Sequence, residues 1–249
     1  MDRVCFHVCG RPIYWYGVLV AAGLWAAYVH YGRLARREGR PADWPSAIVF
    51  WAAVGGLIGA RLAYVIANWP QFTGNWREIP RIDHGGMIFY GGLAGGALAL
   101  WAYAVRHGVP WRIFADFVLT GLPLGHAFGR VGCFLNGCCY GVPFPALSGP
   151  WFAGRLPVQL FESAGNLALY ALLIRLRGRM PFEGALLAAY AAGYGLLRFA
   201  LEFLRGDPRQ QWAGLTTAQW ISLALLAAGV AFWMEGRAHR HGPADRTNG

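Results

Sequence analysis

Seven apolar stretches, near residues 12–32, 46–67, 87–105, 113–134, 157–174, 184–204 and 217–234, take up most of this 249-residue chain. Each is long enough to cross roughly 30 Å of hydrocarbon at about 1.5 Å per helical residue. With 56% of residues hydrophobic and only 14% charged, the chain is too greasy for one soluble core. The expected fold is therefore all-α: a polytopic membrane protein of about seven transmembrane helices. Met1 to Arg11 lacks a basic segment followed by an apolar one, so no cleavable signal peptide is expected and the first span should be retained.

Charge placement sets the expected orientation. All 22 basic residues are arginine. Twelve lie after the odd-numbered spans: Arg33, Arg36, Arg37, Arg40, Arg106, Arg112, Arg175, Arg177, Arg179, Arg237, Arg240 and Arg246. Six lie in the alternate loops: Arg3, Arg11, Arg77, Arg81, Arg155 and Arg209. The positive-inside rule then puts the N-terminus outside and the C-terminus in the cytoplasm. The net charge of +10 is accounted for by juxtamembrane arginines meeting anionic membrane lipids, so nucleic acid is not an expected partner. Residues 1–234 are expected to form one integral membrane domain, and 235–249 a polar cytoplasmic tail without structure. The outer connection from Trp69 to Gly86 mixes aromatic and charged residues, as suits the headgroup level.

Polar residues inside the spans are the functional signal, because an arginine at a helix centre costs roughly 2.5–3.5 kcal/mol on insertion scales. Arg130 stands in Gly129-Arg130-Val131-Gly132-Cys133-Phe134-Leu135-Asn136-Gly137-Cys138-Cys139-Tyr140-Gly141, where Pro123 upstream is expected to kink and unwind the fourth span. Tyr194, Arg198 and Glu202 recur at i, i+4 and i+8, with Arg205 three further on, so one face of the sixth span carries all four. That face is open to two readings, mutual neutralisation of Arg198 and Glu202 or a ligand site. Tyr16 starts the first span beside the belt residues Tyr14 and Trp15. Arg61 lies towards the outer end of the second, where snorkelling is an alternative. Pro157, Gln159 and Glu162 open the fifth. Paired glycines at 55–56, 91–92 and 95–96, with Gly59, suit close helix packing. Arginines without matching acids want an anion, and the abundant anion in a membrane is a phospholipid phosphate, which fits the guanidinium fork.

These motifs together resemble the prolipoprotein diacylglyceryl transferase family along nearly the whole chain. Gly129 to Gly141 is similar to its Gly-Arg-x-Gly-x-Phe-x-Asn-x-x-x-x-Gly signature. Tyr16-Gly17, the Arg61 segment, Tyr90-Gly91-Gly92-Leu93-Ala94-Gly95, Pro157 to Glu162, Tyr194 to Glu202, and Thr217 with Gln219 follow in the family's order. The resemblance implies a transferase in the bacterial cytoplasmic membrane, with its site towards the outer leaflet. It would move the diacylglyceryl group of phosphatidylglycerol onto the lipobox cysteine of exported prolipoproteins, giving a thioether and glycerol 1-phosphate. It implies Tyr90, Arg130, Arg198 and Glu202 as catalytic residues. Tyr16, Arg61, Gly91, Gly92, Asn136, Gln159, Glu162 and Tyr194 are implied as binding residues, again with Arg130, and no cofactor or metal is implied.

Three positions depart from that pattern: Tyr90 stands where the family has histidine, Cys133 where it has asparagine, and Cys138 where it has glutamate. A tyrosine, with an ordinary pKa near 10, is a poor base near neutrality, so Tyr90 either serves as base or only hydrogen-bonds substrate. Cys5, Cys9, Cys133, Cys138 and Cys139 all fall towards the outer face. A disulfide between an N-terminal cysteine and Cys138 or Cys139, free structural thiols, and a metal or redox role are the three readings. The spacing is no standard zinc pattern. A membrane thiol-redox or metal-binding protein on the same fold is thus the alternative function.

Overall fold

The computed structural model describes residues 3–8, 10–82 and 85–240. The expectations for Cys9, Arg246 and the end of the tail lie outside them. Among the described residues there are seven long helices: α1 (Trp15–Glu38), α2 (Trp44–Ala67), α3 (Phe89–Arg106), α4 (Trp111–Leu135), α5 (Val158–Leu176), α6 (Ala185–Glu202) and α7 (Thr217–Arg240). Two short antiparallel hairpins accompany them, β1 (Val4–Val8) with β2 (Arg11–Tyr14), and β3 (Gln211–Trp212) with β4 (Leu215–Thr216).

The protein is an all-α, multi-helix membrane protein. Of the seven expected spans, three are helices long and apolar enough to cross a membrane by themselves among the described residues: α2, α4 and α7 over Thr217–His239. The other four are diluted. α1 ends in Arg33, Arg36, Arg37 and Glu38; α3 carries Gly91, Gly92, Gly95 and Gly96; α5 holds Gln159, Glu162 and Asn166; α6 holds Arg198 and Glu202. One further expectation changes. α4 runs unbroken through Pro123 to Leu135, so the proline forfeits a single backbone bond without unwinding the helix. α7 runs from Thr217 to Arg240.

The described residues form two compact units, Tyr31–Phe114 and residues up to His30 with those from Ala115 on. In the first of these, α2 and α3 meet along glycines. A Cβ on Gly55 would stand 2.7 Å from the Gly95 carbonyl oxygen, and one on Gly59 would stand 2.8 Å from Gly95 Cα and strike the Gly91 carbonyl. Small-residue faces of this kind let backbones touch, which gives dispersion contacts that bulkier residues would forbid. Trp44, Tyr103 and Phe114 close the same unit's core, and the Tyr103 hydroxyl donates to Asp43 Oδ2 at 2.8 Å.

The larger unit is held by buried polar contacts. His30 bonds Thr120 Oγ1 at 2.8 Å through Nε2 and the Tyr170 hydroxyl at 3.1 Å through Nδ1, which ties α1, α4 and α5 together. Asp116 of α4 accepts from the backbone N–H groups of Gly184 and Leu187 at 2.7 and 2.8 Å. A carboxylate thereby satisfies the otherwise unpaired N-terminal donors of α6 and meets the positive end of its dipole. Gly195 and Gly229 admit α7 against α6; a Cβ on either would come within 2.9 Å of the opposite backbone.

The glycine face yields a stability prediction. Gly59→Ala should destabilise the protein by about 1–3 kcal/mol, the usual cost of overpacking. Gly178→Ala, which meets nothing within 4 Å, should be near neutral. Thermal unfolding of both variants in detergent checks the difference, and equal midpoints would mean that the α2–α3 contact is looser than described.

Candidate active site

The site begins where α4 stops. Gly137 has φ +70°, its N–H bonds the Phe134 carbonyl at 3.0 Å, and the N–H of Cys138 bonds the Cys133 carbonyl at 3.1 Å. That pair of bonds is a Schellman turn, which glycine makes easy because it carries no Cβ penalty at positive φ. The turn brings the residue after the glycine back over the last helical turn, so Cys138 lands on Cys133. Cys139 follows at φ +59°. The sulfurs of Cys133, Cys138 and Cys139 all lie within 4.8 Å of one another. The next residues clip into the fold: Gly141 N–H bonds the Leu156 carbonyl at 3.1 Å and Val142 N–H bonds the Leu204 carbonyl at 2.9 Å. A Cβ on Gly141 would sit 2.5 Å from that Leu156 oxygen, which explains the glycine that ends the motif.

Arg130 lies one turn earlier on α4 and is 8% exposed. Its Nε stands 3.1 Å from Glu162 Oε2, and its Nη1 donates to Cys133 Sγ at 3.5 Å. The ion pair is not aligned as a hydrogen bond, and Arg130 Nε and Nη2 are buried with no acceptor among the described residues. His126, four residues before Arg130, places Nε2 3.6 Å from Glu162 Oε1 and its ring 5.4 Å from that of Tyr194. Gln159 donates from Nε2 to the Cys138 carbonyl at 2.7 Å. Tyr16 interacts electrostatically with Arg130 and with all three cysteines of the turn, and its ring packs 3.2 Å from where a Cβ on Gly132 would stand.

A second polar group surrounds Glu202, which is 5% exposed. Arg198 Nη1 approaches its Oε2 at 2.6 Å, Arg205 Nε stands at 4.0 Å and Arg209 Nε at 3.9 Å. Thr216 donates to Glu202 Oε1 at 2.9 Å while its own Oγ1 accepts from Gln219 N–H and Gln219 Oε1 accepts from Thr216 N–H. This is a capping box at the start of α7, fastened to Glu202 by the capping residue itself. The cap is Thr216; the sequence reading had singled out its neighbour Thr217. Arg205 joins the two groups, since it hydrogen-bonds Cys139 as well as Asp207, the latter at 2.8 and 2.9 Å. Hydrogen bonds from Cys133 and Cys138, with that from Arg205, hold the Cys139 thiol well below the ordinary cysteine range against the burial that opposes them. Burial alone would raise the Asp207 carboxyl, and the Arg205 guanidinium outweighs it and holds it low.

The structure therefore gathers Tyr16, Arg130, Gln159 and Glu162 around the turn, and Arg198 around Glu202. Asn136 and Gln159 line a cavity of about 330 Å³ with Arg3, Tyr140, Trp151 and Arg155. In the smaller unit, the residues proposed as binding groups have other work. Arg61 donates from Nε to the Ile79 carbonyl at 2.8 Å, and from Nη1 to the Gly85 and Gly86 carbonyls at 2.6 and 3.1 Å. Its Nη2 donates to the Glu78 carbonyl at 2.5 Å. Four of its hydrogen bonds thus hold a loop. Gly91 packs on Gly59 and Ala63, and Gly92 on Gly56 and Ala60. Tyr90 is 42% exposed at the first turn of α3, with its ring 5.7 Å from that of Phe89.

Of the three readings of the cysteines, the disulfide is absent among the described residues, where Cys5, Cys133, Cys138 and Cys139 are free thiols, and the convergence of three sulfurs is a feature that spacing alone does not show. Buried His126 was missed too, although a histidine four residues before Arg130 in an apolar helix was a readable signal.

A family model described as prolipoprotein diacylglyceryl transferase matches residues 3–235. A phosphatidylglycerol–prolipoprotein diacylglyceryl transferase of Finegoldia magna is 33% identical over 236 residues, spanning 92% of this chain and 94% of its own. The protein of that name from Clostridioides difficile is 34% identical over 237 residues, spanning 92% and 93%, and that from Methylococcus capsulatus is 32% identical over 257 residues, spanning 96% and 97%.

Proposed function

This chain belongs to the prolipoprotein diacylglyceryl transferase family, and from that premise we propose how its residues carry out the transfer. The enzyme moves the diacylglyceryl group of phosphatidylglycerol onto the cysteine of a prolipoprotein. The acceptor thiolate displaces phosphate at the glyceryl C3 carbon, so the site must hold a phosphodiester and stabilise the charge that builds on the leaving oxygen. One observation carries the assignment: Arg130 is buried with Nε and Nη2 donors that no acceptor among the described residues takes up. A phosphate oxygen supplies such an acceptor, and a guanidinium offers two parallel donors to it. Glu162 Oε2 stands 3.1 Å from the same Nε without being aligned to accept from it, so it aims the guanidinium and leaves its hydrogen-bonding capacity unfilled. Arg198, ion-paired to Glu202 with its Nη1 outside hydrogen-bond geometry, is the second cation of the cradle. Asn136 and Gln159 present amides to the adjoining cavity, which suits the glycerol headgroup.

Tyr90, in the position of the family's histidine, is assigned a hydrogen bond to substrate and not the role of base. The four diluted helices are read as further spans whose polar groups are paired inside the protein, with the N-terminus outside, the C-terminus in the cytoplasm and the site towards the outer leaflet of the cytoplasmic membrane.

Three outcomes are expected. Arg130→Lys and Arg198→Lys should each lose at least about tenfold in activity while inserting normally, because an ammonium keeps the charge but not the fork. Complementation of a strain depleted of its own transferase, read by lipoprotein mass, measures this, and near-normal turnover in both variants would end the cradle reading. Tyr90→Phe should cost less than about tenfold across pH 6 to 9; a loss of 10²–10⁴ would make Tyr90 the base. Reporter fusions after Arg40 and Arg179 should report cytoplasm and one at Gly149 the outside, and the reverse pattern would invert the site.

A further inference from the structure

The turn after α4 has more chemistry than a phosphate cradle needs. Three sulfurs, from Cys133, Cys138 and Cys139, converge within 4.8 Å. Tetrahedral zinc with sulfur at about 2.3 Å sets its ligands about 3.8 Å apart, so these sulfurs need only a small inward movement to share one ion. No His, Asp or Glu joins the group among the described residues. Three protein ligands and one open position is the pattern of catalytic zinc, not of structural zinc, which is closed by four.

Charge supports the same reading. Three thiolates and Zn2+ leave one negative charge, and two guanidiniums are already in contact with the sulfurs, Arg130 with Cys133 at 3.5 Å and Arg205 with Cys139. N–H donors around a metal-bound sulfur fix the ligand and temper its charge. Gln159 and the backbone hold the turn from both sides, through the Cys138 carbonyl at 2.7 Å and the Cys133 carbonyl at 3.1 Å. The cavity lined by Asn136, Gly137 and Gln159 adjoins the turn that carries the sulfurs.

We propose that Cys133, Cys138 and Cys139 bind one zinc ion, and that its open position takes the acceptor thiol of the prolipoprotein. The second half rests on the transferase reading above. It supplies what the missing histidine would have supplied. The S–H bond of the acceptor breaks as its sulfur binds zinc, and a coordinated thiol is deprotonated outright. The sulfur's electron pair then forms the bond to C3 while the C3–O bond breaks, and that bond's electrons leave on glycerol 1-phosphate. The thiol proton, released to water, is balanced by protonation of the departing phosphate. Nothing is oxidised or reduced.

The test uses the purified full-length protein, reduced and in detergent, titrated with Co2+ as a spectroscopic substitute for zinc. One equivalent should bind, with a sulfur-to-cobalt charge-transfer band in the near ultraviolet and the intense visible bands of tetrahedral cobalt. Cys133→Ser, Cys138→Ser and Cys139→Ser should each weaken binding by about tenfold or more, and Zn2+ should displace the cobalt. A lipobox peptide should shift the visible bands, whereas the same peptide with serine for cysteine should not. Binding below one equivalent, or equal binding by the triple serine variant, would overturn the site. Binding with no shift on adding the thiol peptide would overturn the open position. Because these readouts involve no turnover, failure of the phosphate cradle in complementation leaves them standing, and the reverse holds too.

Discussion

The larger unit depends on how it keeps charges inside an apolar protein. Arg130 and Glu162 face each other at 3.1 Å, and Arg198 and Glu202 at 2.6 Å, with both carboxylates almost fully enclosed. Taking such ions out of water is expensive, and a buried pair is weak as a source of stability even when it is well made. Here the pairs are not fully made, since guanidinium and carboxylate atoms on both sides lack aligned partners. A fold that needed them only for stability would do as well with apolar residues of similar volume. The residual donors make more sense as binding capacity held ready, with the acids serving to aim the arginines.

Around those pairs, short backbone devices fix where each group can be. The Schellman turn at Gly137 reverses the chain over the last turn of α4, the Thr216–Gln219 capping box fastens the start of α7 to Glu202, and Asp116 fastens the start of α6. Each satisfies helix-end groups that would otherwise be orphaned within apolar surroundings. Functional groups therefore sit at helix ends whose geometry is set by hydrogen bonds, and the apolar helices carry them to the same place. The glycine face between α2 and α3 achieves something different, close backbone contact without any polar bond.

Much of this was legible in the sequence, because hydrophobic length and in-span charge are strong signals. The seven helices fall where the apolar stretches put them, and the i, i+4 spacing of Arg198 and Glu202 becomes an ion pair as that spacing requires. Other features were not readable. Pro123 was expected to unwind α4, but losing one hydrogen bond is tolerable in a helix held on both sides by continuing turns. Arg61 is a binding residue by resemblance, with snorkelling as the alternative. Its hydrogen bonds to the carbonyls of Glu78, Ile79, Gly85 and Gly86 are contacts that residue type does not encode. The cysteines looked unlike a cluster because spacing was judged against extended motifs, whereas a Schellman turn makes residues five apart into neighbours.

That last point bears on how the site differs from the family pattern. Against the family pattern that this sequence resembles, with asparagine and glutamate at positions 133 and 138, the turn has one carboxylate and one amide fewer in a place where Arg130 and Arg205 bring two positive charges. Neutral thiols are weak acceptors, so the strong partners of these cations are carboxylates, Asp207 for Arg205 and Glu162 for Arg130. Ionised sulfur would add a third source of negative charge beside both guanidiniums. Ionised sulfurs packed within 4.8 Å repel one another unless protons or a cation lie between them. The substitutions are thus coherent as a set: two new cysteines beside a third, on a turn that faces their sulfurs together, next to guanidiniums that tolerate their charge. Either change alone would weaken the arginine site, and together they turn the end of α4 from a carboxylate-and-amide surface into a soft-donor one.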